Sequence, residues 1–405
     1  VSLEEKNPST LKRQWTSEVK KRTPRDNFEN CLLNSAEEFI IRNKGRAEVV
    51  AGYPWFGRWG RDTFIALPGL TLTRNDVKAF KDVTNTMLGE LKNGLFPNVG
   101  SGEKASYNSV DTSLWFIWAL QQLHLYGDKD TNIWKEYGDQ LKHVPDSFKN
   151  GTLFNIKMHD NGLIWAGEPG KALTWMDAIV DGNPVTPRIG YAVDINALWY
   201  NGVSFCLELA KKSGDNSFID SWEKWPEIIK SSFNNTFWDK KKGYLADYVN
   251  GDYKDWSVRP NMIFAASLPY SPLKEDQSFS IINVVKRELL TSRGLRTLAP
   301  KNSDYKGIYM GDQKNRDKAY HQGTAWPWLL GAYAEAYLKV FGKSGVDAIM
   351  DIYSNFEEEM YDNGIGTISE VYDGDPPHKA GGAISQAWSV AELLRIKSMI
   401  DNAGN

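Results

Sequence analysis

Residues 194–236 read DINALWYNGVSFCLELAKKSGDNSFIDSWEKWPEIIKSSFNNT, and this stretch decides the fold. Apolar residues recur at helical spacing on both sides of Gly214, which stands where the C-cap of a first helix belongs. Asp194 stands where the N-cap of that helix belongs. The stretch therefore predicts a helical hairpin, with one helix over 194–213 and a second over 217–236.

Helical periodicity also dominates the rest of the chain and predicts about twelve helical segments in all. The segments are 27–43, 61–70, 73–91, 110–126, 131–149, 194–213, 217–236, 259–267, 273–290, 321–341, 344–360 and 381–400. Asp111 and Ser344 are further N-cap candidates, and Gly127 and Gly342 are further C-cap candidates.

The connections between these segments alternate in length. A few residues join the two helices of each hairpin, whereas the loops that enter the even-numbered helices run from about 17 to about 44 residues, beyond the usual length. This pattern predicts an all-α fold, an (α/α)6 barrel of six helical hairpins, with the long loops on one face. Minor β-hairpins are expected near 151–165 and within 237–258. An open solenoid is the alternative, but no repeat of fixed period is present.

The domain organisation follows from the same pattern. We expect residues 27–405 to form the barrel domain, and residues 1–26 to be an N-terminal stub or linker from an upstream domain. The chain begins with Val rather than Met, which agrees with a piece of a longer protein.

Composition and charge exclude several classes of function. The net charge of −3 and pI near 6.1 argue against nucleic-acid binding, and no apolar run is long enough for a membrane helix. Cys31 and Cys206 give no disulfide framework and suit a reducing compartment, so we expect a cytoplasmic location. The five histidines show no metal-ligand spacing, and no phosphate loop or serine nucleophile motif is complete. No metal or cofactor is therefore expected.

The sixteen tryptophans point to sugar binding. Many of them lie beside Gly, Asp, Asn and Arg in YPWFGRWGRD, LTWMD, NALWYN and TAWPWLL, outside apolar runs. Tryptophan rings stack on the C–H faces of sugars while neighbouring polar groups bond the hydroxyls. Trp115 and Trp118, in contrast, are expected to fill the helical core.

Each long loop carries charged or aromatic residues just before the helix that it enters. In chain order they are Arg58, Arg61 and Asp62; Tyr107 and Asp111; Trp175, Asp177 and Arg188; Asp255, Trp256 and Arg259; Arg316 and His321; and Glu370 and Asp373. If the loops share one face, these residues converge on one pocket, because long loops on a rigid scaffold usually carry the chemistry.

Carboxylates, arginines and aromatic rings in one cleft are the groups that glycoside hydrolysis needs. Asp177 follows Trp175 and Met176, and apolar neighbours raise a carboxyl pKa, as a general acid requires. A turn or capping role for Asp177 is the alternative, and a solvated loop position is the alternative for Glu370, its candidate partner. For His321, substrate contact and helix capping are both open.

Seven motifs resemble the glucosidase domain of glycogen debranching enzymes. They are AGYPWFGRWGRDTFIALPGL, YNSVDTSLWFIWAL, LTWMDA with VTPRIGYAVDINALWYN, SVRPNMIFAASLP, GLRTLAP, RDKAYHQGTAWPWLLGAY and SEVYDGDPPHKAGGAISQAWSVAELLR. They occur in the family's order from about residue 27 to 400 and are highly specific. The GRWGRD stretch also resembles the Arg-Asp motif of glucoamylases, another (α/α)6 family.

This resemblance implies an inverting hydrolase that releases glucose from α-1,6 branch stubs of glycogen or branched dextrins. It places the general acid on Asp177 and the general base on Glu370, with Arg61 and Asp62 holding the terminal glucose. The further substrate-binding residues that we predict are Arg58, Asp111, Trp175, Arg188, Asp255, His321 and Trp326. The expected partners are glycogen or branched α-glucan oligosaccharides, with no prediction of oligomeric state.

Three alternatives stay open. The first is a different (α/α)6 glycosidase, of the glucoamylase or trehalase type. The second is a non-catalytic glucan-binding module, and the third is a helical scaffold for protein partners. The transferase activity of some debranching enzymes has no visible residues in this chain.

Overall fold

The computed structural model of the chain describes residues 5–21, 23–43, 45–127 and 131–404. Helices take up 53% and strands 12% of these residues, so the prediction of a mostly helical chain is confirmed. Within the same residues, no helix is both long enough and apolar enough to span a membrane.

The α-helices vary from five to twenty-one residues in length. They are Pro8–Lys21 (α1), Phe28–Glu38 (α2), Gly60–Thr71 (α3), Val77–Leu88 (α4), Thr112–Tyr126 (α5), Ile133–Asn150 (α6), Val193–Ser213 (α7), Asn216–Trp222 (α8), Trp225–Phe237 (α9), Ile263–Ser267 (α10), Glu275–Glu288 (α11), Gln313–Tyr320 (α12), Leu329–Phe341 (α13), Val346–Ser354 (α14) and Ala387–Gly404 (α15).

The strands are short and pair antiparallel. The two-stranded pairs are Ile40–Asn43 with Arg46–Val49, Gly52–Tyr53 with Ser385–Gln386, Lys157–Met158 with Ile164–Trp165, Ile179–Val180 with Asn183–Pro184, and Trp238–Asp239 with Tyr244–Leu245. A three-stranded sheet contains, in order, Tyr253–Lys254, Tyr248–Asn250 and Tyr191–Ala192. A five-stranded sheet contains Leu290–Thr291, Gly294–Arg296, Ala325–Trp326, Val371–Tyr372 and Ala380–Gly381.

Six helices contact one another in a closed cycle. Helix α3 packs on α5, α5 on α7, α7 on α10, α10 on α13, α13 on α15, and α15 returns to α3. Further helices lie against this cycle: α4 on α3, α6, α8 and α9 on α7, α11 on α10 and α13, and α2 and α14 on α15. The six helices of the cycle are the ones that the long loops enter.

Burial on all sides explains the composition of the helices in the cycle. Every residue of α3 is buried, and so are the first twelve of α5, which accounts for their weakly amphipathic sequences. The closing contact between α3 and α15 depends on Gly69, because a Cβ there would lie 2.1 Å from the carbonyl oxygen of Ala391. Trp115 and Trp118 are buried in the core, as predicted.

Aromatic rings from different helices meet at the centre of the cycle. The ring of Trp115 lies 5.3 Å from that of Phe264, which stacks on Trp328 at 5.6 Å. Trp328 stacks in turn on Trp388 at 5.0 Å. Offset and edge-to-face aromatic contacts of this kind stabilise a core beyond the burial of area alone.

The helix ends are predicted better at the C-terminus than at the N-terminus. Glycines form the C-caps of three helices as expected: Gly127 for α5, Gly214 for α7 and Gly342 for α13. Asp111 takes the N-cap position of α5, but its side chain makes no capping hydrogen bond. The N-cap predictions for Asp194 and Ser344 are wrong, since α7 begins one residue earlier and Ser344 lies within a 3-10 turn.

Some predicted helices have other limits in the structure. The segment 27–43 is helical only to Glu38, because the β-branched run that follows pairs as a hairpin. The segment 381–400 becomes helical at Ala387, after glycines that lie in and beside a strand.

Two further differences concern helix number. The segment 217–236 is two helices, and Pro226 occupies the first turn of the second, where proline is tolerated. The segment 321–341 is helical only from Leu329, whereas the preceding α12 is polar, lacks an apolar period and was not predicted. The predicted β-hairpins near 151–165 and within 237–258 are both present.

Candidate active site

A pocket of about 90 Å³ opens at the end of the cycle where α3 and α15 begin. It is lined by Phe56, Trp59, Arg61, Asp62, Trp175, Asp177, Tyr320, His321, Trp326, Glu370, Gln386 and Trp388. These residues come from the start of α3, from α12, from the first turn of α15, and from the loops before α3, α7, α13 and α15. Four of the six long loops, those before α3, α7, α13 and α15, therefore meet at this pocket, whereas the loops before α5 and α10 are not represented in its lining.

Arg61 and Asp62 lie in the first turn of α3, and both side chains are buried. Arg61 Nε donates to Asp111 Oδ2 at 2.8 Å, and Arg61 Nη1 donates to Asp177 Oδ2 at 3.0 Å. Asp111 is fixed in turn by Ser109, whose hydroxyl lies 2.5 Å from Asp111 Oδ1. Arg61 thus holds two carboxylates that come from different loops, with one charge-assisted hydrogen bond to each.

Asp177 is the more accessible of the pocket carboxylates, with a quarter of its side chain exposed. Its neighbours Trp175 and Met176 are buried, and the Trp175 indole N–H donates to Asn261 Oδ1 at 2.7 Å. Burial raises the pKa of Asp177 above its ordinary value, while the ion pair with Arg61 acts in the opposite direction. Desolvation is the larger effect.

Glu370 is almost completely buried, and each of its carboxylate oxygens accepts a hydrogen bond. Tyr320 Oη donates to Oε1, and the backbone N–H of Ala383 donates to Oε2 at 2.8 Å. Gly382 lies directly against this carboxylate in a left-handed conformation with φ of 68°. A Cβ at that position would lie 2.2 Å from Glu370 Oε2, so the loop needs a glycine there.

Burial raises the pKa of all three carboxyl groups in this pocket, and Asp177 raises those of Asp62 and Glu370 further. Burial raises the pKa of Glu370 to about 7, and Asp177 adds to this, while the bonds from Tyr320 and Ala383 oppose it. Burial also raises the pKa of Asp62 to about 7, against the opposing charge of Arg61. The pocket therefore contains carboxyl groups that exchange protons near neutral pH.

Aromatic rings form the walls of the pocket. His321 stacks on Trp326 with ring centroids 5.4 Å apart and meets Trp175 edge to face at 5.3 Å. Burial, together with the positive charge of Arg259, holds the pKa of His321 well below its ordinary value, so the imidazole is neutral. Its Nδ1 has no hydrogen-bond partner among the described residues, and the backbone carbonyl of His321 accepts from Arg259 at 2.9 Å.

Seven of the predicted site residues line the pocket together: Arg61, Asp62, Trp175, Asp177, His321, Trp326 and Glu370. Asp111 contacts the site through Arg61. Both tryptophans are nearly inaccessible, with 3% of Trp175 and 2% of Trp326 exposed, so they shape the wall more than they offer an open stacking face.

The other predicted binding residues are not among those that line the pocket. Arg188 is buried between Asp194, at 2.7 Å, and Asp247, at 2.8 Å, in an ion-pair cluster. Arg58 donates to Glu48, to Glu90 and to the carbonyl of Gly100. The Oδ1 atom of Asp255 accepts from the backbone N–H of Ser257 at 2.9 Å.

Sequence reasoning did not single out Tyr320, Gln386 or Trp388. Tyr320 contacts Glu370, and Gln386 Nε2 lies 3.5 Å from Asp62 Oδ2. All three residues lie inside the quoted motifs, Tyr320 in RDKAYHQGTAWPW and the other two in GGAISQAWS. Tyr320 directly precedes the selected His321, whereas no residue of GGAISQAWS was selected, because none of them carries a charge.

The fold and pocket describe a mostly helical protein whose cleft combines acidic groups with aromatic walls, as suits a sugar ligand. A family model described as "Amylo-alpha-1,6-glucosidase" matches residues 34–395. The chain belongs to this family, and the resemblance drawn from its motifs is confirmed.

Two curated relatives are more distant. The glycogen debranching enzyme of Saccharomyces cerevisiae is 25% identical over 394 aligned residues, which cover 74% of this chain. The alkaline/neutral invertase CINV1 of Arabidopsis thaliana is 22% identical over 263 residues, or 53% of this chain. The chain spans 26% of the length of the yeast enzyme and 46% of the length of the invertase.

Proposed function

We propose that the protein is an inverting glycoside hydrolase that releases glucose from α-1,6 branch stubs of glycogen or branched dextrins. The observation that carries the proposal is the meeting of Asp177 and Glu370, from two distant loops, in one aromatic-walled pocket. Membership of the amylo-alpha-1,6-glucosidase family and the similarity to the yeast debranching enzyme support the choice of bond and substrate.

In this proposal Asp177 is the general acid. It is the carboxyl group whose side chain reaches the open part of the pocket, where a leaving oxygen has to be protonated. The raised pKa that burial gives it favours the protonated form, and a sugar that displaces water from the pocket strengthens this effect. Arg61 fixes the orientation of the carboxyl group.

Glu370 is the general base in the same proposal. Tyr320 and Ala383 each donate a hydrogen bond to it, which favours the carboxylate over the acid form. An inverting reaction requires a water molecule between this carboxylate and the sugar, so the two carboxyl groups should stand roughly 6.5–9.5 Å apart in the substrate complex. Arg61 and Asp62 hold the hydroxyls of the terminal glucose.

The scaffold that we propose is an (α/α)6 barrel over residues 27–405, with residues 1–26 as a stub or linker. The closed cycle of α3, α5, α7, α10, α13 and α15, with the remaining helices against it, supports this assignment. Each inner helix is entered by a long connection, so the site lies at the N-terminal ends of the inner helices. The cytoplasmic location stays a prediction.

Product analysis on a dextrin that carries single α-1,6-linked glucose residues tests the function. We expect glucose to be released and to appear first as the β-anomer in a proton NMR time course. Faster cleavage of α-1,4 chains or trehalose would favour the glucoamylase or trehalase type. The invertase relative makes sucrose the fourth substrate to compare. Oligosaccharide binding without any cleavage by folded protein would favour a glucan-binding module, and binding of a protein alone would favour a scaffold.

A further inference from the structure

We infer that Tyr320 is a positioning residue for Glu370: its hydroxyl orients the carboxylate and favours the ionised form that the base needs. The inference rests on the proposed function and adds a residue to it. Tyr320 ends α12, the helix that the sequence pattern did not reveal, and its hydroxyl donates to Glu370 Oε1 inside the pocket. With the Ala383 N–H on Oε2, both oxygens of the carboxylate are held.

The Tyr320 phenol is itself fixed from several sides. The backbone carbonyl of Tyr320 accepts from the indole N–H of Trp326 at 3.0 Å and from the hydroxyl of Thr324 at 2.5 Å. Its ring contacts those of His321 and Trp326 at 4.8 Å each, and that of Tyr309 at 5.6 Å. A donor that is locked in this way fixes the direction of its acceptor, because the Glu370 side chain cannot turn without losing the bond.

Tyr320 acts as a donor and does not exchange the proton itself. Burial and the neighbouring Glu370 raise the pKa of Tyr320 well above its ordinary value of 10, so the phenol stays protonated wherever the enzyme works. Each carboxylate oxygen of Glu370 has a second lone pair beyond the one that Tyr320 or Ala383 occupies. One of these lone pairs accepts the hydrogen of the attacking water.

Several other groups set the proton affinity of Glu370, and a change at position 320 leaves them in place. Desolvation and Asp177 raise its pKa, and the Ala383 N–H lowers it. Asp62 and Tyr309 also face Glu370 electrostatically. Because these groups stay in place, removal of the Tyr320 hydroxyl measures the effect of that one group on the pKa of Glu370.

The test is a direct titration of Glu370 by NMR in protein labelled with ¹³C at the glutamate side-chain carboxyl. The Glu370 resonance is assigned by its loss in Glu370→Gln. In Tyr320→Phe we expect the pKa of Glu370 to rise by about 1–2 units, the effect of one lost hydrogen bond to a charged group. The acid limb of kcat/KM on the branched dextrin should move upward by the same amount. An unchanged Glu370 titration in a folded Tyr320→Phe variant overturns the inference.

Tyr305→Phe is the matched control. It removes another bond from a phenol to a carboxylate, Tyr305 Oη to Asp375 Oδ1 at 2.8 Å, outside the pocket lining. We expect the Glu370 titration and the acid limb to stay as in the wild type. An equal shift in this control would mean that the effect of Tyr320→Phe is general loosening, which also overturns the inference.

A second variant keeps the shape of the side chain and reverses the sign of the effect. Replacement of Tyr320 by 3-fluorotyrosine makes the phenol a stronger donor, so the pKa of Glu370 should fall, and this decides the matter if the phenylalanine variant does not fold. Because the titration needs no turnover, it tests the role of Tyr320 separately from the proposed hydrolase function. If both variants show their shifts but the wild type releases no glucose, the proposed function is contradicted. If the wild type is active but neither variant shows a shift, the role of Tyr320 is contradicted.

Discussion

Arg61 and Asp177 are joined by a hydrogen-bonded ion pair, with Nη1 of Arg61 3.0 Å from Oδ2 of Asp177. The guanidinium group is buried, while a quarter of the carboxylate side chain faces the pocket. The pair therefore ties the longest loop, between α6 and α7, to the first turn of α3 and still presents Asp177 to a ligand. A proton acceptor in the leaving group can reach it without breaking the bond to Arg61.

The first prediction separates the roles of the two carboxylates by azide rescue. Azide added to Glu370→Ala should replace the missing base on the far side of the sugar and yield β-glucosyl azide from an α-linked substrate. Asp177→Asn should bind oligosaccharide but lose turnover, because the amide has no proton to deliver. Mass spectrometry and NMR of the products give the outcome. Rescue of Asp177→Ala but not of Glu370→Ala, or formation of the α-azide, would reverse the assignment.

The second prediction concerns Asp62. Asp62→Asn removes the charge that should bind glucose hydroxyls. The resulting fall in kcat/KM should correspond to a loss of roughly 2–4 kcal/mol of transition-state stabilisation. Asp255→Asn is the control, since Asp255 was predicted from the same loop pattern but is not among the pocket-lining residues. Its kinetics should match the wild type. An equal loss of kcat/KM in both variants would show that Asp255 contributes to the site as much as Asp62 does.

The third prediction uses Gly382, whose missing Cβ makes room for Glu370. Gly382→Ala should push the carboxylate aside and lower kcat by roughly 10- to 100-fold, as expected for a small displacement of a catalytic group. Gly214→Ala is the control, because Gly214 is also left-handed but a Cβ there meets nothing within 4 Å. Both variants should lose about 1–2 kcal/mol of stability, and only the first should lose activity. Wild-type kcat in Gly382→Ala would contradict the close contact.

The fourth prediction is a pH dependence of stability that comes from Glu392 on α15. Its Oε2 accepts from Arg395 at 2.8 Å, its Oε1 has no partner in the described part of the chain, and burial raises its pKa to about 7. The folded state therefore binds more protons than the unfolded state between about pH 4.5 and 7, so Glu392 makes the protein less stable as the pH rises through this range.

Glu392→Gln removes this titration, and urea unfolding at a series of pH values measures the result. The free energy of unfolding of the variant minus that of the wild type should rise by about 1–3 kcal/mol from pH 4.5 to 7. The difference is expected to level off above pH 7. Parallel stability curves for the two proteins would mean that Glu392 is ionised throughout.

Much of the site could be predicted because its charged residues lie in long loops just before buried helices. Asp177 and Glu370 belong to such loops, and both line the pocket. Arg188 follows the same pattern, yet it is enclosed by Asp194 and Asp247. Asp247 lies between two hairpins, 59 residues beyond Arg188, so no local pattern shows that Arg188 has this second counter-charge.

The fold was predictable where a helix is apolar on all sides or ends at a glycine, as α5 and α7 do. It was not predictable where tertiary contacts decide. Helix α12 is polar along its length and owes its position to the residues that it touches, among them Glu370 through Tyr320. The strand Ala325–Trp326 belongs to a sheet with four other strands, and this pairing could not be predicted from helical periodicity.

The contact that closes the cycle has a consequence for biosynthesis. Asp62 enters the pocket from near the start of the chain, and Gln386, which lies 3.5 Å from it, arrives 324 residues later. Ala387 N likewise donates to the carbonyl of Ala51 at 2.9 Å. A ribosome therefore has to release α15 before α3 finds its last neighbour, and such long-range pairing folds slowly. We expect a nascent chain stopped before residue 385 to expose the apolar faces of its early helices and to depend on chaperones. The pocket forms only after the residues of α15 have been made.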